Sequence, residues 1–221
     1  MSRPDYRPFV PGPGQSKIAG ATPRAHAEAR LKSPRAEELF GGWAKLAAES
    51  FRGITTDGHV RPNLFSLEPA GAPVDAMIQA VRALLAVLSP GQRQAACFPV
   101  DSEHWRRWQN TELYVEDYGL RLDEVTQAVR DAVMTVLRAS LSRHGYETSR
   151  SVMRLNRFLG DLVGGPAILG EWSYIFCLYG TPDPVQPWGW QLFGHHLCLN
   201  CFVIDRQMVL TPAFFGAEPA Y

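Results

Sequence analysis

The sequence lacks a surplus of either charge: 22 Lys and Arg stand against 22 Asp and Glu in 221 residues. Gripping nucleic acid or an anionic membrane surface draws on a basic excess, so neither is expected as a partner. Long apolar runs are missing too. No stretch reaches the roughly 18 to 20 apolar residues that span a bilayer, and no membrane span is expected. The N-terminal MSRPDYRPFVPGPGQ has no apolar h-region of the secretory kind. Cysteine is scarce: Cys97, Cys177, Cys198 and Cys201 sit in apolar surroundings. That pattern reads as reduced, buried thiols in a cytoplasmic protein rather than as a disulfide frame. Internal repeats are also missing, which excludes a solenoid.

What is present is an ordinary globular composition, 46% apolar and 20% charged. Residues 1–25, rich in Pro, Gly, Arg and Ser, read as a flexible arm, and 26–221 as one domain. Apolar residues at three-four spacing predict four helices: 34–51, 74–88, one from Asp123 to a left-handed C-cap at Gly145, and one from Thr148 or Ser149 to Gly164. After Glu171 the texture changes to aromatic and β-branched runs. Strands are expected at 173–179, 188–193, 195–204 and 207–210, with Asp205-Arg206 as a hairpin turn. Helices followed by strands predict an α+β fold, a helical layer packed on a C-terminal antiparallel sheet.

The richest chemistry lies in Gly194-His-His-Leu-Cys-Leu-Asn-Cys201. On one unbroken strand, alternation puts Trp188, Trp190, His196, Cys198 and Asn200 on one face and an apolar row on the other. A polar row flanked by tryptophans reads as a pocket wall, with His196, His195 and Asn200 as catalytic candidates and Trp188 and Trp190 as ligand contacts. His196 is the candidate ligand of a divalent metal. On a regular strand its neighbour His195 points away, so a shared ion requires a bulge at Gly194. Further ligands would come from Asp57, His59, Asp101 or His104. The alternative is that these polar side chains brace the sheet against neighbouring loops.

A second constellation is Trp105-Arg-Arg-Trp-Gln-Asn110. Trp105, Arg106, Trp108 and Asn110 offer stacking faces and directional donors for an anionic or aromatic small molecule. The structural alternative, a loop pinned to the core by its tryptophans, is slightly favoured. Asn156, between Leu155 and Leu159 on the expected fourth helix, needs a buried partner and is added to the ligand-binding candidates.

Phe51-Arg-Gly-Ile-Thr-Thr-Asp-Gly58, Trp105-Arg-Arg-Trp-Gln-Asn110, Met153-Arg-Leu-Asn156, Pro187-Trp-Gly-Trp190, Gly194-His-His-Leu197 and Thr211-Pro-Ala-Phe-Phe-Gly216 occur in an order that resembles the family called domain of unknown function 3500. The resemblance runs from about Glu37 onward, and Gly-His-His-Leu with the preceding Pro-Trp-Gly-Trp is its most specific part. It implies a grouping and no mechanism. Members of that family look longer than this chain, which is therefore expected to be a short or truncated form. The residues themselves favour a small-molecule enzyme with a His/Asn/Trp pocket, metal-assisted or not. A non-catalytic ligand-binding domain or a remnant of a longer enzyme is the alternative, and assembly of several copies stays open.

Overall fold

The computed structural model describes residues 5, 8, 18–50, 57–59, 61–62, 66–68 and 70–218. The motif at 51–56 and most of the expected arm lie outside these. Most of the described helices begin where the sequence supplies a capping oxygen. Thr22 caps α1 (Pro23–Leu31) and Ser33 caps α2 (Pro34–Ala48), each followed by proline at the first helical position. α3 (Val74–Val87) follows Pro73 without a side-chain cap. Ser89 closes a reciprocal capping box with Gln92 on α4 (Pro90–Ala96). Thr126 caps α5 (Gln127–Ser140) and Ser142 caps α6 (Arg143–Leu162).

Two helices were not anticipated, α1 within and beyond the expected arm and the short α4. The boundary between α5 and α6 also differs from expectation. Gly145 does not end a helix in a left-handed turn; its N–H donates to Ser142 Oγ at 3.1 Å in the first turn of α6. The Ser142 hydroxyl offers a start signal immediately after Leu141, so the new helix begins five residues before Thr148 could open one.

The sheet joins β1 (Cys97–Phe98), β2 (Leu120–Arg121), β3 (Tyr174–Tyr179), β4 (Trp188–Gly194), β5 (Leu197–Ile204) and β6 (Gln207–Phe215). The order is β1-β3-β4-β5-β6, with β2 also on β3. Only β1 runs parallel to its neighbour; the other pairings are antiparallel. The fold is α+β, as the sequence predicts. Asp205 and Arg206 both take positive φ, 46° and 60°, as a tight two-residue hairpin demands. β6 runs past the expected end at Leu210 through Pro212, which falls in the register shift against β5, a place where a sheet tolerates proline.

Both sheet faces are covered. Tyr174, Phe176, Leu178, Trp188, Trp190, Leu192, Leu199 and Cys201 pack against α3, α5 and α6. The opposite face carries Ile175, Cys177, Tyr179, Phe193 and Cys198, roofed by Phe98, Trp105, Trp108, Tyr114 and Tyr118 from the connection before β2. Among the described residues, no helix is long and apolar enough to cross a membrane.

α6 approaches the 166–170 segment closely because Gly160 has no side chain. A Cβ there would overlap the Leu169 carbonyl oxygen and come within 3.1 Å of its carbonyl carbon and Cβ. Gly160→Ala is therefore expected to cost about 1–3 kcal/mol through overpacking. Urea unfolding would show this as a lower midpoint at unchanged slope. An unaltered midpoint would mean that α6 is not held against this segment.

Candidate functional site

β4 and β5 are joined by the shortest of hairpins. Gly194 pairs with Leu197, which leaves His195 and His196 as the two turn residues. The chain reverses there instead of running straight through, and His196 takes φ 61° to make the reversal. Two neighbouring imidazoles that would point apart on a strand thus come together at a turn. Their rings stack with centroids 4.0 Å apart and planes 24° from parallel.

The turn is tied down on every side. Tyr174 O–H donates to the His195 carbonyl at 3.0 Å, His196 N–H to the Asn110 carbonyl at 3.2 Å, and Gly216 N–H to the His196 carbonyl at 2.7 Å. Glycine is required at 194 because a Cβ would meet the Tyr174 ring at 2.7 Å and the Ser173 carbonyl oxygen at 2.8 Å. The His195 ring is almost wholly buried. Its Nδ1 lies 2.8 Å from Asn156 Oδ1, while Asn156 Nδ2 donates to the Gly170 carbonyl at 2.8 Å. With its amide nitrogen spent on a carbonyl, Asn156 presents oxygen to the ring, so His195 carries its proton on Nδ1 and turns Nε2 outward.

Outward lies Glu218, which the sequence reading missed. Its Oε2 is 3.5 Å from His195 Nε2 and 3.9 Å from His196 Nε2. No local signal marks Glu218; the length of β6 and its pairing with β5 carry it back over the turn. Burial, helped by repulsion from His195, holds His196 below the usual imidazole range, with Glu218 and Glu112 pulling the other way. Of the other suggested ligands, His59 and Asp57 sit together on the surface, and His104 stacks on Phe98 and bonds to Ser102.

The reversal corrects the single polar face. Even-numbered residues of β4 share a face with odd-numbered residues of β5. Trp188 and Trp190 therefore lie in the helical core, wholly buried, with their indole N–H groups donating to the Asp183 carbonyl at 2.9 Å and Ser140 Oγ at 3.0 Å. Asn200 points the opposite way and is buried. Its Nδ2 donates to the Pro212 carbonyl at 2.7 Å, filling the register shift between β5 and β6, and its Oδ1 accepts from Gln191 Nε2. Gln191 in turn accepts from Tyr179 O–H at 3.2 Å. Asn200 thus belongs to a buried, mutually satisfied network under the 98–118 connection.

That connection holds the remaining candidates. Trp105 stacks on Tyr179, centroids 3.8 Å apart, and is spent on the core. Arg106 donates to the Leu46 and Glu49 carbonyls at 2.7 and 2.8 Å, so its cation caps the negative end of α2. Arg106, Trp108 and Asn110 line a cleft of about 630 Å³, closed on the far side by Phe40 and Trp43 of α2, with Arg107 and Glu116 among its other polar groups. Burial pushes the Glu116 carboxyl up while Arg107 pulls it down. The hollow at Asn156, His195, His196 and Glu218 is far smaller, about 10 Å³.

The family model described as Protein of unknown function (DUF3500) matches residues 70–221, more than half of the chain. No curated protein and no solved structure matches.

None of the cysteines is bonded to another, and those in β3 and β5 are fully buried. Burial pushes the Cys198 and Cys201 thiols up to about 12, and Cys177 higher still. Cys97 is raised too but stays partly accessible. Since the thiolate is the reactive form, an aromatic disulfide reagent at pH 8 should titrate one thiol of the native chain rapidly, at Cys97, and all four after unfolding. Rapid native labelling of Cys177 or Cys198 would show that the sheet face under the 98–118 connection is open.

Proposed function

The chain belongs to the DUF3500 family, a grouping that names no reaction, and from the arrangement of its residues we propose that it is an enzyme acting on a small polar molecule with an aromatic or flat apolar part. The substrate lies in the cleft between α2 and residues 106–110, and the imidazoles of the 195–196 turn act on it. One observation carries this reading: Asn110 both lines the cleft and accepts, through its carbonyl, the backbone N–H of His196. A recognition surface and a pair of imidazoles therefore adjoin through a single residue. The volume falls within the few hundred to a thousand Å³ typical of small-molecule sites, and three aromatic rings surround a few polar groups. A planar substrate stacks on Trp108 and Trp43, while Asn110 and Arg107 orient its polar end.

A second reading, a binding domain without turnover, draws support from the hollow beside the imidazoles, which at about 10 Å³ holds no more than a water or an ion. The two readings share the cleft and part on chemistry.

A panel of aryl carboxylates and related planar acids, screened by thermal shift in metal-free buffer, tests the cleft. At least one should raise the melting temperature through preferential binding to the folded chain. Trp108→Ala should weaken that binding by about 1 kcal/mol, roughly fivefold, through loss of stacking. Product analysis on the same compounds then separates enzyme from binder. No shift across the panel, or binding indifferent to Trp108→Ala, would remove the cleft from consideration.

A further inference from the structure

We propose that His195 Nε2, His196 Nε2 and the Glu218 carboxylate form a site for one divalent transition-metal ion of the zinc class, with Asn156 as the positioning residue. The site does not rest on the cleft, and either can stand without the other.

The geometry sets the argument. Among the described residues, these three bring their donor atoms within 4.8 Å of one another. The carboxylate oxygen stands 3.5 and 3.9 Å from the two Nε2 atoms, at or beyond the limit of a direct hydrogen bond. Ligand atoms held about 2.0–2.2 Å from a zinc ion are themselves roughly 3–3.5 Å apart. The cluster is thus open by a few tenths of an ångström on the carboxylate side. The two rings stack, so their lone pairs converge only when one tilts. His196, the more exposed of the pair, is the ring that moves.

His195 is prepared for the role. Asn156 fixes its proton on Nδ1, which leaves Nε2 to offer its lone pair. An acceptor behind the non-ligating nitrogen is the usual outer support of a metal-bound histidine. That support stands on a helix and is anchored by its own bond to Gly170, so the ring cannot rotate away. The hollow, about 10 Å³ and bordered by Val152, Leu155 and Leu159, is the size of a single ion. Two imidazoles with one carboxylate select zinc-class ions over magnesium or calcium, which prefer all-oxygen shells. Three protein ligands leave a coordination position open, the mark of a reactive rather than a purely structural ion.

The competing account is a plain ion pair between Glu218 and a protonated imidazole, with no metal. Untagged full-length chain dialysed against Zn²⁺ alone, then assayed for metal content, separates the two. The proposal expects one equivalent of zinc, and with Co²⁺ as the probe, visible absorption bands of low-coordinate cobalt. Glu218→Gln, at an exposed side chain near the end of β6, should weaken binding at least tenfold without changing the melting temperature of the metal-free chain. His196→Gly should do the same, because the positive φ at 196 suits glycine and the turn still forms. Asn156→Leu should weaken zinc by roughly 10–100-fold and shift the cobalt bands, and Asn156→Asp, which keeps an acceptor behind Nδ1, should restore both. Wild-type chain that takes up no zinc or cobalt overturns the site, as does binding equally tight in Glu218→Gln and His196→Gly. Neither result touches the aryl-acid test of the cleft, which is read without metal.

Discussion

The closing pair of the β4–β5 hairpin, Gly194 with Leu197, is the constraint on which the rest of this structure depends. A two-residue reversal at that place decides which side chains face the helices and which face the 98–118 connection. It sends Trp188 and Trp190 into the main core and Cys198 and Asn200 into the second one. It also places two imidazoles at the tip of the sheet, where neither lies within a strand. Tyr174 enforces the reversal from below: its ring leaves no room for a side chain at 194, and its hydroxyl holds the His195 carbonyl.

Much of the architecture was legible from periodicity. The apolar stripe of α3 and the aromatic and β-branched runs of β3, β4 and β5 could be read because burial on one or both faces dictates them. The Asp205-Arg206 turn was legible from two polar residues between apolar runs. The turn at 195–196 was not, since it lacks Gly, Asn or Asp, the residues that announce positive φ. Reading straight through it carried the strand parity across a reversal and so assigned the tryptophans and Asn200 to one wall. A strand histidine and a turn histidine look alike in sequence; only the pairing of Gly194 with Leu197 tells them apart.

The site was legible in a different measure. His195, His196 and Asn156 stood out because polar groups among apolar neighbours need partners. Asn156 was flagged for burial on a helix, and its partner is a residue 39 positions away. Glu218 could not be seen, because its position depends on how far β6 extends and on the register shift that Asn200 fills at Pro212. Asn200, read as a catalytic candidate, is bonded within the sheet: its amide fills the register shift between β5 and β6. The loop divides likewise: Trp105 is spent on packing, Arg106 both caps α2 and lines the cleft, and Trp108 and Asn110 line the cleft beside it.

The two proposed centres differ in what holds them. All of the imidazole cluster, including Asn156 and Glu218, lies within the stretch that the family model matches, on the sheet and the helix packed over it. Replacing Asn156 by an apolar residue would orphan both the His195 ring nitrogen and the Gly170 carbonyl, each costing about 1–3 kcal/mol, so the support behind His195 resists drift. The cleft has one wall in that stretch and the other on α2, which precedes it and buries no residue of its own. The Arg106 guanidinium ties that wall to the loop through the last carbonyls of the helix. The cluster and the cleft meet at Asn110, which lines the cleft and accepts the His196 N–H through its carbonyl.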